Sequence, residues 1–229
     1  MKLNFEQRKE RAANEAGLTL IECLVAMVVI TITLATIAPM MVFSVATRVQ
    51  NQKTEQALQL AQGEIDKVRR VVEQGGDYGD RLASISLVEA SASTASVVAA
   101  PDDFIASTAT ASTATQARRL DTDGDGDSDF LIQLFRTEGI EIPPQNSSVT
   151  ASTPIVFDIG VRVYDARAEN STVPLETADS RLTFTSGDGE RSRRPLAALY
   201  SQITQGDRDA SLCNYWEYTG STPDALFCN

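Results

Sequence analysis

The chain has 229 residues, enough for one domain with an appendage or for two small domains. Its formal net charge of −11 at pH 7 repels nucleic-acid phosphates, so nucleic acid is not an expected partner. The absence of histidine excludes Ser-His-Asp and Cys-His nucleophile systems and most zinc sites, and no spacing of carboxylates indicates a catalytic pair, so we expect no enzyme.

The N-terminal part combines a short charged segment with a long apolar run. Residues 1–17 carry four basic side chains, and the apolar run from Leu18 to about Val45 follows directly. The run is too long for the core of an ordinary signal peptide and long enough, as a helix, to cross a hydrocarbon layer of about 30 Å. Only two basic residues follow it closely, so the positive-inside bias places the N-terminus in the cytoplasm. Cleavage by a signal peptidase after Ala46 is the alternative that this composition leaves open.

One acid, Glu22, lies inside the apolar run. An ionised carboxylate at the centre of a bilayer costs about 2.5–3.5 kcal/mol on insertion scales, so an acid in such a segment usually marks a functional position. The alternative is that Glu22 lies close enough to the membrane surface to be solvated and needs no partner.

The residues around this acid closely resemble the N-terminal signal of type IV prepilins and pseudopilins. They are a charged leader that ends in Gly17, then Leu18-Thr19-Leu20-Ile21-Glu22 and an unbroken apolar run. The resemblance implies that a dedicated membrane peptidase cuts after Gly17 and methylates the new N-terminal residue, Leu18, where Phe is commoner. Glu22 matches the family's acid at the fifth mature position, and Pro39 matches its helix-kinking proline at the twenty-second. It also implies that the freed amine on Leu18 pairs with Glu22, within one chain or across two subunits, since each ion alone is costly in lipid.

The resemblance further implies a non-enzymatic minor pilin or pseudopilin of the V or I type. Such a subunit is a single-pass precursor in the inner membrane and later lies in the periplasm or outside the cell. There it belongs to a type IV pilus or a type II secretion-like pseudopilus that supports secretion, adhesion or motility. Its expected partners are the prepilin peptidase, other pilins or pseudopilins and the inner-membrane assembly platform.

Two further interpretations concern the ligand and an alternative function. The segment LETADSRLTFTSGDGERSRRPLAALYSQITQGD resembles pseudopilins that are linked to polysaccharide secretion in filamentous cyanobacteria, which makes a polysaccharide or another surface ligand an expected partner. The alternative function is a membrane-anchored, calcium-dependent surface binding module that does not polymerise.

The remaining chain predicts an α+β fold. Apolar residues at spacings of three and four continue the helix to Gln74, and Gly75-Gly76 ends it. A Ser-, Ala- and Thr-rich segment, residues 77–120, follows, and its composition is typical of a surface loop. Strand-like runs follow at Phe130–Arg136, Pro154–Tyr164, Arg181–Thr185 and Leu196–Thr204. We expect a long N-terminal helix packed against a small antiparallel sheet of about four strands, as in the pilin fold. The chain would then divide into five parts: a leader (1–17), a transmembrane half of the helix (18–45), its amphipathic continuation (46–76), the loop (77–120) and a sheet domain (121–229).

An acidic stretch, LDTDGDGDSDFL, resembles the start of an EF-hand-type calcium loop. It places aspartates at alternating positions and a glycine at the sharp turn: Asp121, Asp123, Asp125, Gly126, Asp127 and Asp129. The departure from the pattern is Ile132, which stands where the bidentate glutamate belongs, and Glu138 is our guess for the missing acid. We expect a structural Ca²⁺ of weak affinity, of the order of 10⁻⁴–10⁻³ M. The alternative is an acidic turn that binds nothing.

The chain has three cysteines, of which Cys23 lies in the apolar run. Cys213 and Cys228 lie near the C-terminus and resemble the disulfide-bounded C-terminal region of many pilins, and a disulfide there would indicate an oxidising compartment. The alternative is two unrelated thiols. Aromatic residues between them offer either a partner contact or packing onto the sheet.

Overall fold

The structure, a computed structural model, describes residues 19–143, 151–180, 187–206, 211–221 and 228. The chain divides into two units, an N-terminal unit, Met1–Asn51, and a C-terminal unit, Gln52–Asn229. The helices are α1 (Leu20–Glu73), α2 (Gly79–Ser84), α3 (Gly187–Arg191) and α4 (Ser211–Tyr218). The strands are β1 (Val88–Ala90), β2 (Asp103–Ile105), β3 (Gln116–Leu120), β4 (Phe130–Thr137), β5 (Ile140–Ile142), β6 (Thr153–Asp165) and β7 (Ala197–Thr204).

The apolar run and the amphipathic stretch form one continuous helix, α1, as the sequence predicts. Its predicted first residue, Leu18, lies outside the described residues. Between Leu20 and Val49 its large apolar side chains are exposed. By length and composition α1 is able to cross a membrane, and it is the one such helix in the described part of the chain.

In the C-terminal unit, α1 buries one face against the sheet. Its buried apolar residues recur at intervals of three and four, namely Ala57, Ala61, Ile65, Val68 and Val72. They form one core with the inward residues of the central strands, such as Ile132, Val161 and Ile203. Each fully buried Val or Ile contributes about 1.5–3 kcal/mol, so this stripe is the main attachment of the helix.

Ion pairs fix the position of the helix on the sheet. The carboxylate of Glu64, almost fully buried, lies 3.2 Å from the guanidinium of Arg118 on β3 and 2.7 Å from the ammonium of Lys67. Lys53 lies 3.5 Å from Asp165, at the end of β6. Removing one partner of a buried pair leaves an uncompensated charge, so these contacts specify the register of helix and sheet.

The sheet contains seven described strands in the order β2-β3-β4-β6-β5, with β1 paired to β4 and β7 paired to β6. The α+β prediction is confirmed, and β4, β6 and β7 lie where three of the apolar runs predict strands. The fourth predicted strand, Arg181–Thr185, lies outside the described residues. The described predicted strands pair antiparallel, as expected, with β6 between β4 and β7. The sheet as a whole is mixed, because the unpredicted strands β1 and β2 pair in parallel with β4 and β3.

The Ser-, Ala- and Thr-rich segment is more ordered than a surface loop. It contributes α2 and the short strands β1, β2 and β3, which extend the sheet through backbone hydrogen bonds. Strands of three to five residues are too short to show a clear alternation of apolar and polar side chains, which is why the sequence predicts a loop there.

A buried arginine anchors this segment to the face of the sheet opposite α1. Arg162 is fully buried on β6, and its Nη1 donates to the carbonyls of Val98 at 2.8 Å and Ala99 at 3.1 Å. The guanidinium also lies 5.0 Å from the ring centroid of Phe135. A buried charge is tolerated only where its donors are satisfied, and here carbonyls and an aromatic face satisfy them.

Two glycines give a matched test of this packing. A Cβ at Gly160 would collide with the ring of Phe135, which also contacts the guanidinium of Arg162, whereas a Cβ at Gly63 in α1 would meet nothing within 4 Å. We expect Gly160→Ala to lower the free energy of unfolding by about 1–3 kcal/mol, and Gly63→Ala to raise it by about 0.5–1 kcal/mol because alanine favours the helix. Thermal unfolding of the full chain in detergent measures both changes. Equal midpoints for the two variants would contradict the packing described here.

Candidate functional site

Of the predicted assembly residues, Glu22 lies in the first turn of α1 and Pro39 lies inside the helix. Gly17 and Leu18 lie outside the described residues. Thr19, the first described residue, caps the helix: its Oγ1 accepts a hydrogen bond from the N–H of Glu22 at 3.3 Å, and its carbonyl accepts from the N–H groups of Glu22 and Cys23. Thr19-Leu20-Ile21-Glu22 has the T-x-x-E pattern of a capping box, a start signal that our sequence reasoning missed.

Glu22 lies in the first turn of α1, where the helix presents its unpaired N–H groups. A carboxylate near this positive end of the helix dipole is favoured by about 0.3–1 kcal/mol when exposed. In the sequence Leu18 precedes Glu22 by four residues.

Beyond Glu22, α1 presents an uninterrupted apolar surface. No charged side chain occurs between Glu22 and Arg48, and most side chains there are large, apolar and exposed. Threonine hydroxyls along this stretch donate to carbonyls three or four residues earlier in the helix: Thr31, Thr33, Thr36 and Thr47. Because these hydroxyls are satisfied within the helix, the surface suits lipid or the apolar face of another helix.

Pro39 lies inside α1, as predicted. It has no N–H to donate to the carbonyl four residues earlier, which weakens the helix at that turn. Cys23 is a free, exposed cysteine on the same apolar surface.

The acidic stretch forms the loop between β3 and β4. Carboxylate oxygens of Asp121, Asp123 and Asp129 lie within 4.8 Å of one another. Asp121 accepts from the N–H of Gly124 at 2.6 Å and of Gly126 at 2.9 Å. Both glycines have a positive φ, which lets the backbone curl around Asp121.

Three of the five predicted calcium aspartates converge, and two do not. The carboxylate of Asp125 accepts from the N–H of Asp127 at 2.8 Å, and neither of these two side chains joins the cluster. Ile132 is buried in β4 and offers no ligand. Glu138 follows β4 at the end opposite the loop, about 26 Å along an eight-residue strand, so our guess that it completes the ligand set is wrong.

The three converging carboxylates differ in proton affinity. N–H groups of Gly124 and Gly126 lower the pKa of Asp121, and hydrogen bonds from Thr122 lower the pKa of Asp129. The N–H of Asp125 lowers the pKa of Asp123, but desolvation and the charges of neighbouring aspartates together raise it. A hard divalent cation would relieve this repulsion, and carboxylate oxygens suit Ca²⁺ or Mg²⁺. Calcium binding stays a prediction.

The structure contains the disulfide between Cys213 and Cys228, with the two Cα atoms 5.6 Å apart. The bond ties α4 to the C-terminus. Of the aromatic residues in this region, Tyr218 turns toward the sheet, with its hydroxyl 3.4 Å from Oγ1 of Thr137, and Tyr215 is exposed. Phe227 lies outside the described residues.

Comparison with known proteins finds one similarity. A family model described as the prokaryotic N-terminal methylation motif matches residues 12–38, a range that includes Gly17, Leu18 and Glu22. No curated protein and no solved structure matches the chain. The role of the C-terminal unit must therefore be argued from its own residues.

The acidic loop gives a direct calcium test. In calorimetric titration of the full chain with Ca²⁺, we expect heat of binding in the wild type and its loss in Asp121→Asn/Asp123→Asn, since both carboxylates belong to the converging set. Asp127→Asn is the matched control and should keep the signal, because its carboxylate lies outside that set. Absence of heat in the wild type, or equal heat in the double variant, would contradict the site.

Proposed function

We propose that the chain is a type IV pilin-like protein, a non-enzymatic minor pilin or pseudopilin that assembles into a type IV pilus or a type II secretion-like pseudopilus. The observation that carries this proposal is the methylation motif at residues 12–38 joined to an exposed apolar helix. The motif supplies the processing signal, and the helix supplies a surface that only lipid or other helices can cover.

In this proposal the subunit is first inserted into the membrane as a precursor. The precursor spans the inner membrane once through the apolar half of α1, with its N-terminus in the cytoplasm. The prepilin peptidase cuts after Gly17 and methylates Leu18. The C-terminal unit, with its disulfide, then lies in the oxidising space outside the inner membrane.

Assembly replaces lipid by protein around the apolar surface. Exposed side chains such as Leu24, Val28 and Ile32 contact acyl chains in the precursor and neighbouring helices in the filament. Both surroundings are apolar, so the transfer has little hydrophobic driving force and depends on close packing and on specific polar pairs. The amine of Leu18 and the carboxylate of Glu22 form such a pair, and it brings the incoming subunit into register.

The C-terminal unit is the part that meets other molecules at the filament surface. Its sheet is held to α1 by the Ala57–Val72 stripe and by the Glu64–Arg118 pair, so it is displayed as a rigid body. We propose that its contacts support secretion, adhesion or motility, and a polysaccharide is among the expected surface ligands.

One observation favours a second candidate. The convergence of Asp121, Asp123 and Asp129 supports a membrane-anchored, calcium-dependent surface binding module that does not polymerise. This candidate differs from the first in one respect that can be measured: its surface display does not depend on the charge of Glu22.

The charge of Glu22 separates the two candidates. Glu22→Gln keeps the shape of the side chain but removes its charge, so we expect normal amounts of protein in the membrane and a several-fold loss from the sheared filament fraction. Immunoblots of both fractions measure the effect. The matched control is Glu55→Gln, which alters an exposed acid on the same helix in the C-terminal unit and should leave both fractions unchanged. Undiminished incorporation of Glu22→Gln into filaments would contradict the pairing, whereas absence of the wild-type protein from the filament fraction would favour the second candidate.

A further inference from the structure

A cleft of about 440 Å³ lies in the C-terminal unit beside the end of β4. Its lining includes Ser91, Ser93, Thr137, Glu138, Gly139 and Tyr218. These residues come from three separate stretches: the segment after β1, the β4–β5 turn and α4. The volume lies within the range of about 300–1,000 Å³ that is typical of small-ligand sites.

Contacts within the C-terminal unit position both walls of this cleft. On one side, Ala92 packs against the cluster of Phe135, Ala90 and Ala95, and Arg162 donates to the carbonyl of Ala95. On the other side, the hydroxyl of Tyr218 on α4 lies 3.4 Å from Oγ1 of Thr137 on β4.

The floor of the cleft requires a glycine. Gly139 has a φ of +67°, and a Cβ there would collide with the carbonyl oxygen of Val156. The missing side chain leaves the β4–β5 turn open beside Glu138, whose carboxylate is exposed.

The polar groups of the cleft are hydroxyls and one carboxylate. Ser91, Ser93, Thr137 and Tyr218 each contribute a hydroxyl, which both donates and accepts hydrogen bonds. The Oγ1 of Thr137 accepts from the N–H of Asp158 at 3.0 Å and lies 3.4 Å from the hydroxyl of Tyr218, so these two hydroxyls already pair with each other. Burial raises the pKa of Tyr218. The groups left for a ligand are the hydroxyls of Ser91 and Ser93, the carboxylate of Glu138 and the ring of Tyr218.

The charge of the surroundings does not suit an anion. None of the described lining residues is cationic, and the guanidinium of Arg136, which contacts two of them, is engaged. Its Nη1 donates to the carbonyls of Thr137 and Glu138, and its Nη2 lies 2.8 Å from Glu89 and 2.6 Å from Glu141. A phosphate or carboxylate ligand would find only negative or neutral side chains, and a purely apolar ligand would desolvate the hydroxyls of Ser91 and Ser93 without replacing their hydrogen bonds.

We propose that this cleft binds a neutral glycan. The carboxylate of Glu138 accepts hydrogen bonds from sugar hydroxyls, the hydroxyls of Ser91 and Ser93 exchange hydrogen bonds with the ring substituents, and the ring of Tyr218 lies against a C–H face of the sugar. The inference rests on the proposed function for the position of the cleft outside the cell. The binding chemistry itself does not require a filament.

Binding is tested on the purified full chain in nanodiscs, because detergents with sugar headgroups would compete for the cleft. The probes are neutral oligomers of glucose and of N-acetylglucosamine, together with oligomers of glucosamine, which carry free amines. Saturation-transfer NMR detects contact, and calorimetry gives the affinity. Because neither measurement involves assembly, failure of the filament proposal leaves the outcome unaffected, and absence of binding leaves the filament proposal intact.

We expect at least one neutral oligomer to bind, and Glu138→Gln and Ser91→Ala/Ser93→Ala each to weaken its affinity by about tenfold, the loss expected for strong hydrogen bonds. Both variants alter exposed side chains, so the fold should persist. The matched control is Glu73→Gln, an exposed acid at the end of α1, which should bind like the wild type. The proposal is overturned if no neutral oligomer binds, if only the amine-bearing oligomers bind, or if both cleft variants keep wild-type affinity.

Discussion

The exposed apolar surface of α1 between Leu20 and Val49 is the constraint on which the rest of this molecule depends. Burying one Leu, Ile or Val side chain is worth about 1.5–3 kcal/mol, and a typical domain is stable by only about 5–15 kcal/mol, so this surface cannot remain in water. Under the proposed function, lipid covers it in the precursor and other helices cover it in a filament. In these apolar surroundings the ionised carboxylate of Glu22 is unfavourable unless a positive group lies nearby. Thr19 caps the helix, so Glu22 lies at the N-terminal end, where the helix dipole stabilises a negative charge.

The C-terminal unit is held together by contacts on both faces of its sheet. A stripe of apolar residues on α1 and the pair between Glu64 and Arg118 join helix to sheet on one face. On the other face, buried Arg162 holds a segment more than sixty residues away in the sequence. Under the proposed function, these contacts would preserve the shape of the unit outside the membrane.

The sequence predicts those features whose residues lie close together in the chain. The helix, β4, β6 and β7 are predicted because their apolar residues repeat at helical or strand spacing. The Asp121–Asp129 loop is predicted because its aspartates lie within nine consecutive residues. The order of the Ser-, Ala- and Thr-rich segment cannot be predicted in this way, because it depends on residues that are distant in the sequence. These residues are Arg162 and Gln133, and Gln133 donates to the carbonyls of Ala99 and Ala114. The glycan cleft escapes sequence reasoning for the same reason, since Ser91, Thr137 and Tyr218 meet only in the folded chain.

The most direct test of this account is the mass of the protein purified from its own membranes. The account predicts the mass of residues 18–229 plus one methyl group on Leu18, with the methylated residue located by fragmentation from the N-terminus. A variant with a bulky residue in place of Gly17 should remain at full length and serve as the control. A wild-type protein that still begins at Met1, or that begins beyond Ala46, would contradict the central claim, because no amine would then be present at Leu18 to pair with Glu22.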